Sequence, residues 1–176
     1  MRLLDLTLPL GELTPGYPGD PPVRVRQVRD LETHGFRLHE LCFGSHAGTH
    51  VNAPWHMAQG GARLEELPLA CFVARAVVAG GPHEPGMGVV FADAPLTAEG
   101  LTELLASGPA FVAQAAKWPL DEAVERALCE AGIASFENLA NTHLLPRGRD
   151  FLFAGLPLAV QGDGAPVRAV AILEEE

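Results

Sequence analysis

Helical spacing is confined to two windows of this chain, and that scarcity constrains its fold more than any other feature. Thr97 can cap a short helix running to Leu105, and a second window runs from Leu120 to Ala131, with Pro119 suited to a first turn and Gly132 to a stop. In the second window Leu120, Ala123, Val124, Ala127, Leu128 and Ala131 form one apolar face, while Asp121 and Glu122 sit at its positive N-terminal end. Elsewhere the period is two. Leu4, Leu6 and Leu8 alternate with Asp5 and Thr7, Val23, Val25 and Gln27 alternate with Arg24 and Arg26, and residues 36–43 and 71–78 read as further strands. The stretch from Thr14 to Pro22, which contains Tyr17, breaks regular structure with closely spaced prolines and glycines. Near the C-terminus, residues 151–160 and 166–173 flank Gly162-Asp163-Gly164, a hairpin signal. About eight strands to two helices give a β-rich α/β domain over residues 1–173, followed by an acidic tail at 174–176.

Composition excludes several classes of function. A chain of 176 residues with 48% hydrophobic residues and a mean hydropathy of +0.15 has enough apolar surface for one domain with a sizeable core. Its 22 acidic and 12 basic residues leave a formal charge of −10, which repels phosphate backbones and anionic bilayers, so nucleic acid and membrane are not expected partners. No apolar run reaches the length of a membrane span, and Asp5 interrupts any secretory core at the N-terminus, so a cytoplasmic location is expected. Cys42, Cys71 and Cys129 are odd in number and widely spaced, which suits small buried thiols rather than disulfides or a thiolate zinc site.

The densest chemistry lies between Ser45 and His56, where His46, His50 and His56, three of the seven histidines, fall within 11 residues. A helix is opposed there by Gly48, the β-branched Thr49 and Val51, and Pro54. On a straight strand, residues 46 and 50 share a face but stand roughly 13 Å apart, at a rise of about 3.3 Å per residue. Bonds of about 2 Å to a shared ion then require Gly48 to bend the chain so that the two rings converge. Neutral imidazoles suit zinc, iron, nickel or manganese, and an open coordination position activates water for hydrolysis. His56, one step beyond Pro54, suits either a general base or a ligand to a second metal. The alternative is a set of structural histidines bonded to backbone groups.

The run His-x-Gly-Thr-His-x-x-x-Pro-x-His, carried by His46, Gly48, Thr49, His50, Pro54 and His56, resembles the signature of the cyclase-type metal-dependent hydrolases, which include bacterial kynurenine formamidase and isatin hydrolase. Further stretches resemble the same family: Asp5-Leu6-Thr7 with Pro9-Leu10, Tyr17 to Pro21, Glu137 to Asn141, Leu156-Pro157-Leu158, and Gly162 to Ala169. The resemblance implies a swivelling β/β/α fold, a homodimer or homotetramer, and hydrolysis of an amide, formamide or cyclic amide bond in a small molecule by metal-activated water. It implies a divalent metal, with zinc or manganese the first choices, held by His46, His50 and the residue at position 52, with His56 and Glu137 in catalytic roles.

Four departures accompany the matches. Asn52 stands where the family has a metal-binding Asp, which lowers the charge offered to a cation and removes a bridging carboxylate, favouring one metal over two. Glu125 stands where two-metal members carry a helix histidine, and Glu125 with Glu137 would offer hard oxygen ligands. His143 stands where relatives often have an acidic residue, either as an added ligand or as an ordinary loop histidine. Between Thr97 and Glu125 the chain is shorter than the family by one strand and one helix, which implies a more open or reshaped pocket. These residues admit two readings: a single-metal hydrolase, or a catalytically silent relative that binds a ligand or assembles through a degenerate metal site.

Overall fold

A computed structural model describes residues 1–174, so the tail expected at 174–176 lies, past Glu174, outside the described residues. The α/β class expected from the spacing is the class observed. The described residues form eleven strands and three α-helices. Before the histidine run come β1 (Arg2–Asp5), β2 (Arg24–Arg29), the one-turn helix α1 (Leu31–His34) and β3 (Leu38–Cys42). The run itself contributes β4 (His50–Asn52). Then follow β5 (Val73–Val78), β6 (Gly88–Phe91), α2 (Ala98–Ala106), β7 (Val112–Ala115), α3 (Glu122–Glu130) and β8 (Ser135–Leu139). The chain closes with β9 (Phe151–Ala154), β10 (Gly164–Pro166) and β11 (Val170–Leu173). None of the described helices is long and apolar enough to cross a membrane.

Nine strands make one sheet in the order β1-β11-β9-β5-β6-β7-β8-β4-β10, and β2 pairs with β3 in a separate two-stranded arm. The centre from β5 to β8 is parallel: α2 and α3 supply the crossovers from β6 to β7 and from β7 to β8, and a loop supplies the one from β5 to β6. Those helices cover one face through Leu104, Val124 and Leu128 packed on Val89 and Val112. The other face is centred on Phe111, Phe136 and Phe153, fully buried with ring centroids 4.7 to 5.1 Å apart. Gly88 is required beside this trio, since a Cβ there would lie 2.1 Å from the Phe111 ring.

The hairpin expected around Gly162-Asp163-Gly164 is not what forms. β9 and β11 do pair antiparallel, but β9 ends at Ala154, before Pro157, and the intervening chain travels to the far edge of the sheet, where β10 pairs with β4. Gly-Asp-Gly therefore leads into an edge strand instead of joining two neighbours. The N-terminal strand also stops sooner than its alternation suggests: past Asp5 the chain runs on, with the Leu6 amide donating to the Ala169 carbonyl and the Leu8 amide to the Thr49 hydroxyl.

The alternation of β4 positions the site. Val51 points into the core opposite Phe136, so His50 and Asn52 share the other face. Across β8, His50 lies opposite Glu137 and Asn52 opposite Ser135. Across β10, Asn52 lies opposite Gly164, whose added Cβ would meet the Val51 carbonyl at 2.6 Å and the His46 ring at 3.0 Å. Only glycine leaves room for that ring.

Candidate metal centre

Gly48 has φ of 62°, a left-handed conformation open to glycine at little cost, and the chain bends there into β4. The rings of His46 and His50 consequently lie 5.2 Å apart, and those of His46 and His56 only 4.0 Å apart. The bend is pinned from outside. The Thr49 hydroxyl accepts from the Leu8 amide at 2.8 Å and donates to the Asn138 carbonyl at 2.7 Å, while the Asn138 amide donates to the Gly48 carbonyl at 3.0 Å. His56 arrives on the 3-10 turn Pro54–His56, and Glu125 on α3. Asp163 comes from the loop ahead of β10. The structure thus gathers His46, His50, Asn52, His56, Glu125 and Glu137 into one cluster. His143 stays apart, exposed on the turn Thr142–Leu144, and none of the described hydrogen bonds or ion pairs joins it to the cluster.

Hydrogen bonds define how the imidazoles face. His46 Nδ1 lies 2.7 Å from Asn52 Oδ1, His50 Nδ1 lies 2.9 Å from the Gly48 carbonyl, and His56 Nδ1 lies 3.1 Å from Asp163 Oδ2. All three partners are acceptors, so each ring carries its proton on Nδ1. The Asn52 orientation follows from its nitrogen, which lies 2.5 Å from Glu125, 2.8 Å from Glu137 and 3.3 Å from Ser135 Oγ, partners that only an NH2 group can serve.

In the neutral rings Nε2 then turns a lone pair toward a carboxylate oxygen in two cases, His50 toward Glu137 at 3.5 Å and His56 toward Glu125 at 3.6 Å, whereas His46 Nε2 lies at hydrogen-bond distance from Asp163, 2.9 Å. Lone pair against carboxylate is repulsive unless a proton or a cation stands between them. The two longer separations, 3.5 and 3.6 Å, exceed a normal hydrogen bond and are close to the spacing of two ligands on one ion, about 3.0 to 3.5 Å for bonds of about 2 Å. Nδ1 tied to an orienting acceptor, with Nε2 free for an ion, is the usual arrangement of a metal-binding histidine. The donor set therefore fits a divalent cation. Within this cluster the ligand atoms of His46, His56 and Asp163 lie within 4.8 Å of one another, close enough to converge on one ion.

The carboxylates are differentiated by their surroundings. Burial, then the nearby charge of Glu137, pushes Glu125 up to about 7. Burial also raises Glu137, but contacts with His50 and Asn52 outweigh it and hold that carboxyl below its ordinary range. Burial likewise opposes ionisation of Asp163, yet hydrogen bonds with His46 and His56 and the charge of His46 bring it to about 2. His56 is lowered chiefly by burial and then by His46, with Asp163 acting against both. Glu137 and Asp163 are thus the anions, Glu125 is balanced near neutrality, and His56 is kept available as a base.

Asp163 is the site residue that sequence reasoning missed. Its signal was present, because a carboxylate between two glycines, entering a strand that ends in proline, is a side chain presented by a tight backbone. It reads first as turn chemistry.

Beside Asp163 lies a groove of about 210 Å³ walled by Phe43, Leu158 and Val160. A second groove of about 410 Å³, lined by Leu8, Leu10, Leu41, Phe43 and Leu158, runs from the root of the β2–β3 arm along the sheet edge.

Comparison with known proteins follows the same residues. The chain is 31% identical to a protein named kynurenine formamidase from Salinibacter ruber, with 97% of each chain covered. That match runs over 207 aligned positions against 176 residues here, so the relative carries internal segments that this chain lacks. Among solved structures, isatin hydrolase A from Ralstonia solanacearum superposes with a TM-score of 0.80 at 20% identity, covering 98% of this chain and 92% of that one. A "predicted metal-dependent hydrolase" from Bacillus stearothermophilus superposes with a TM-score of 0.75 at 21% identity, covering 97% of each. The family model described as Cyclase matches residues 4–108, a stretch that holds the whole histidine run. On that match and the full-length similarity, the chain belongs to the Cyclase family.

Proposed function

We propose that this protein is a metal-dependent hydrolase of an amide bond in a small molecule, with a formamide or cyclic amide as the substrate class. The observation that carries the reading is the shared orientation of His46, His50 and His56, each with Nδ1 on an acceptor and Nε2 aimed at a carboxylate. His46 and Asp163, whose ligand atoms lie close together, are the residues that would hold the ion, with His50 and Glu137 drawn in from beside them. Asn52 orients His46 through its oxygen and restrains both glutamates through its nitrogen. A divalent cation bound there, zinc or manganese by donor type, supplies a Lewis acid that makes water more acidic and polarises a carbonyl oxygen.

His56 moves the proton. Its Nδ1 is fixed by Asp163, and its lowered pKa leaves Nε2 unprotonated at neutral pH. Nε2 takes a proton from the attacking water and returns it to the leaving nitrogen as the carbon–nitrogen bond breaks, yielding a carboxylic acid and an amine. Glu125, 3.6 Å from Nε2 and balanced near neutrality, buffers that proton. The groove formed by Phe43, Leu158 and Val160 suits a flat apolar substrate with its carbonyl near Asp163.

Hydrolysis of an aryl formamide and of a cyclic imide by manganese- or zinc-loaded protein tests the reading. We expect turnover of at least one class, and a loss of about 10² to 10⁴-fold in His56→Ala. Metal-loaded protein that hydrolyses neither class above buffer would sink it.

A homodimer or homotetramer belongs to the same proposal. The β2–β3 arm is exposed along its length and carries Val25, Leu38 and Leu41 into solvent beside the larger groove. A lone two-stranded hairpin is only marginally stable in water, and a second copy of the chain would cover it.

A further inference from the structure

Asn52 is fully buried and Glu125 nearly so, and they meet at 2.5 Å. The Asn52 nitrogen offers two N–H groups to three acceptors, two of them glutamates on different elements, Glu125 from α3 and Glu137 from β8. Both carboxylates converge on this one amide. Arg126 and Arg63 are directed elsewhere, the first to Glu122 and the second over Trp55. We propose that Asn52 and Glu125 are a matched pair, in which the amide on β4 bridges two carboxylates and a carboxylate at position 52 is tolerated only when position 125 gives up its own. The amide thereby keeps the buried Glu125 and the half-buried Glu137 together without a cation.

Donors and acceptors decide the pairing. An Asp at position 52 would still receive the proton of His46 Nδ1, but its second oxygen would face Glu125, Glu137 and Ser135 Oγ with no N–H between it and either glutamate. Two carboxylates in contact do not both ionise without cost, and here three would meet in a buried space. Exchanging the groups, Asp at 52 and Gln at 125, restores one amide among the same three positions and the same count of charges. A cation drawing on Glu137 competes with the Asn52 nitrogen for the same Oε1 atom. This last consequence rests on the proposed metal-dependent function, whereas the pairing itself rests on the hydrogen bonds alone.

Thermal melts of EDTA-treated protein at pH 8, on the native chain, Asn52→Asp, Glu125→Gln and the doubly exchanged variant, measure the pairing. We expect Asn52→Asp to lower Tm by about 5 to 10 °C, Glu125→Gln to change it by about 2 °C or less, and the exchanged variant to recover most of the loss. If Asn52→Asp yields no folded protein, folding of the exchanged variant is the expected rescue and its failure overturns the proposal. A Tm for Asn52→Asp within about 1 °C of the native, or a double variant equal to the sum of the singles, overturns it as well. Manganese titration of the same proteins separates the two claims. About tenfold tighter binding by Asn52→Asp is expected, and its absence alongside an intact thermal coupling counts against the metal reading and not against the pairing.

Discussion

Glu125 is the residue whose ionisation the fold disturbs most usefully. Its carboxyl rises from an ordinary 4.5 to about 7 because burial and Glu137 both penalise the charge. A folded pKa above the unfolded one means that the stability this group contributes is complete below about pH 4.5 and is lost as pH rises through about 7. Glu125→Gln removes that dependence. The Tm difference between Glu125→Gln and the native chain should therefore move in favour of the variant from pH 5 to pH 8, and a difference that stays flat across the range would show that Glu125 ionises as freely folded as unfolded. At this scale the sequence was readable wherever the chemistry is local. His46, His50 and His56 share a run of 11 residues, and Gly48 between them could be assigned its bend from distance alone. Asp163 was not readable, since its partners His46 and His56 lie 117 and 107 residues away.

Among the elements, the two helices were legible from apolar spacing and caps, and Asp121 indeed accepts from the amides of Ala123 and Val124. The short central strands were less so. β6, Gly-Val-Val-Phe, and β8, Ser-Phe-Glu-Asn-Leu, carry no clean alternation, β6 being largely buried and β8 building the site on one face and the Phe136 core on the other. The hairpin signal near Gly162 failed for a related reason: local turn chemistry says where a chain reverses, not which strand it then joins. Val25 and Leu41 are register partners on one face of the β2–β3 arm, so Val25→Arg with Leu41→Glu keeps an attractive cross-strand pair while making that face polar. Analytical ultracentrifugation should find the native chain as a dimer or tetramer and the double variant smaller, with its Tm otherwise kept. A native chain that sediments as a monomer at micromolar concentration contradicts the assembly.

Across the whole molecule, a sheet of nine strands brings together chemistry from four distant stretches: the histidine run, α3, β8 and the loop before β10. The α/β class followed from the scarcity of helices, but the strand order did not, because β4 and β10 pair through short segments whose sequences announce no partner. The net charge of −10 is a property of the surface, whereas the site depends on Glu137 and Asp163, held ionised by their own neighbours. Binding of a divalent cation by this cluster through Nε2 of His46 and His50 is tested most directly by calorimetric titration of EDTA-stripped, untagged protein with manganese or zinc. We expect saturable binding at micromolar concentration that is lost in both His46→Ala and His50→Ala. No binding by the native chain up to millimolar metal, or binding that survives both substitutions, would contradict it and favour a catalytically silent member of the family.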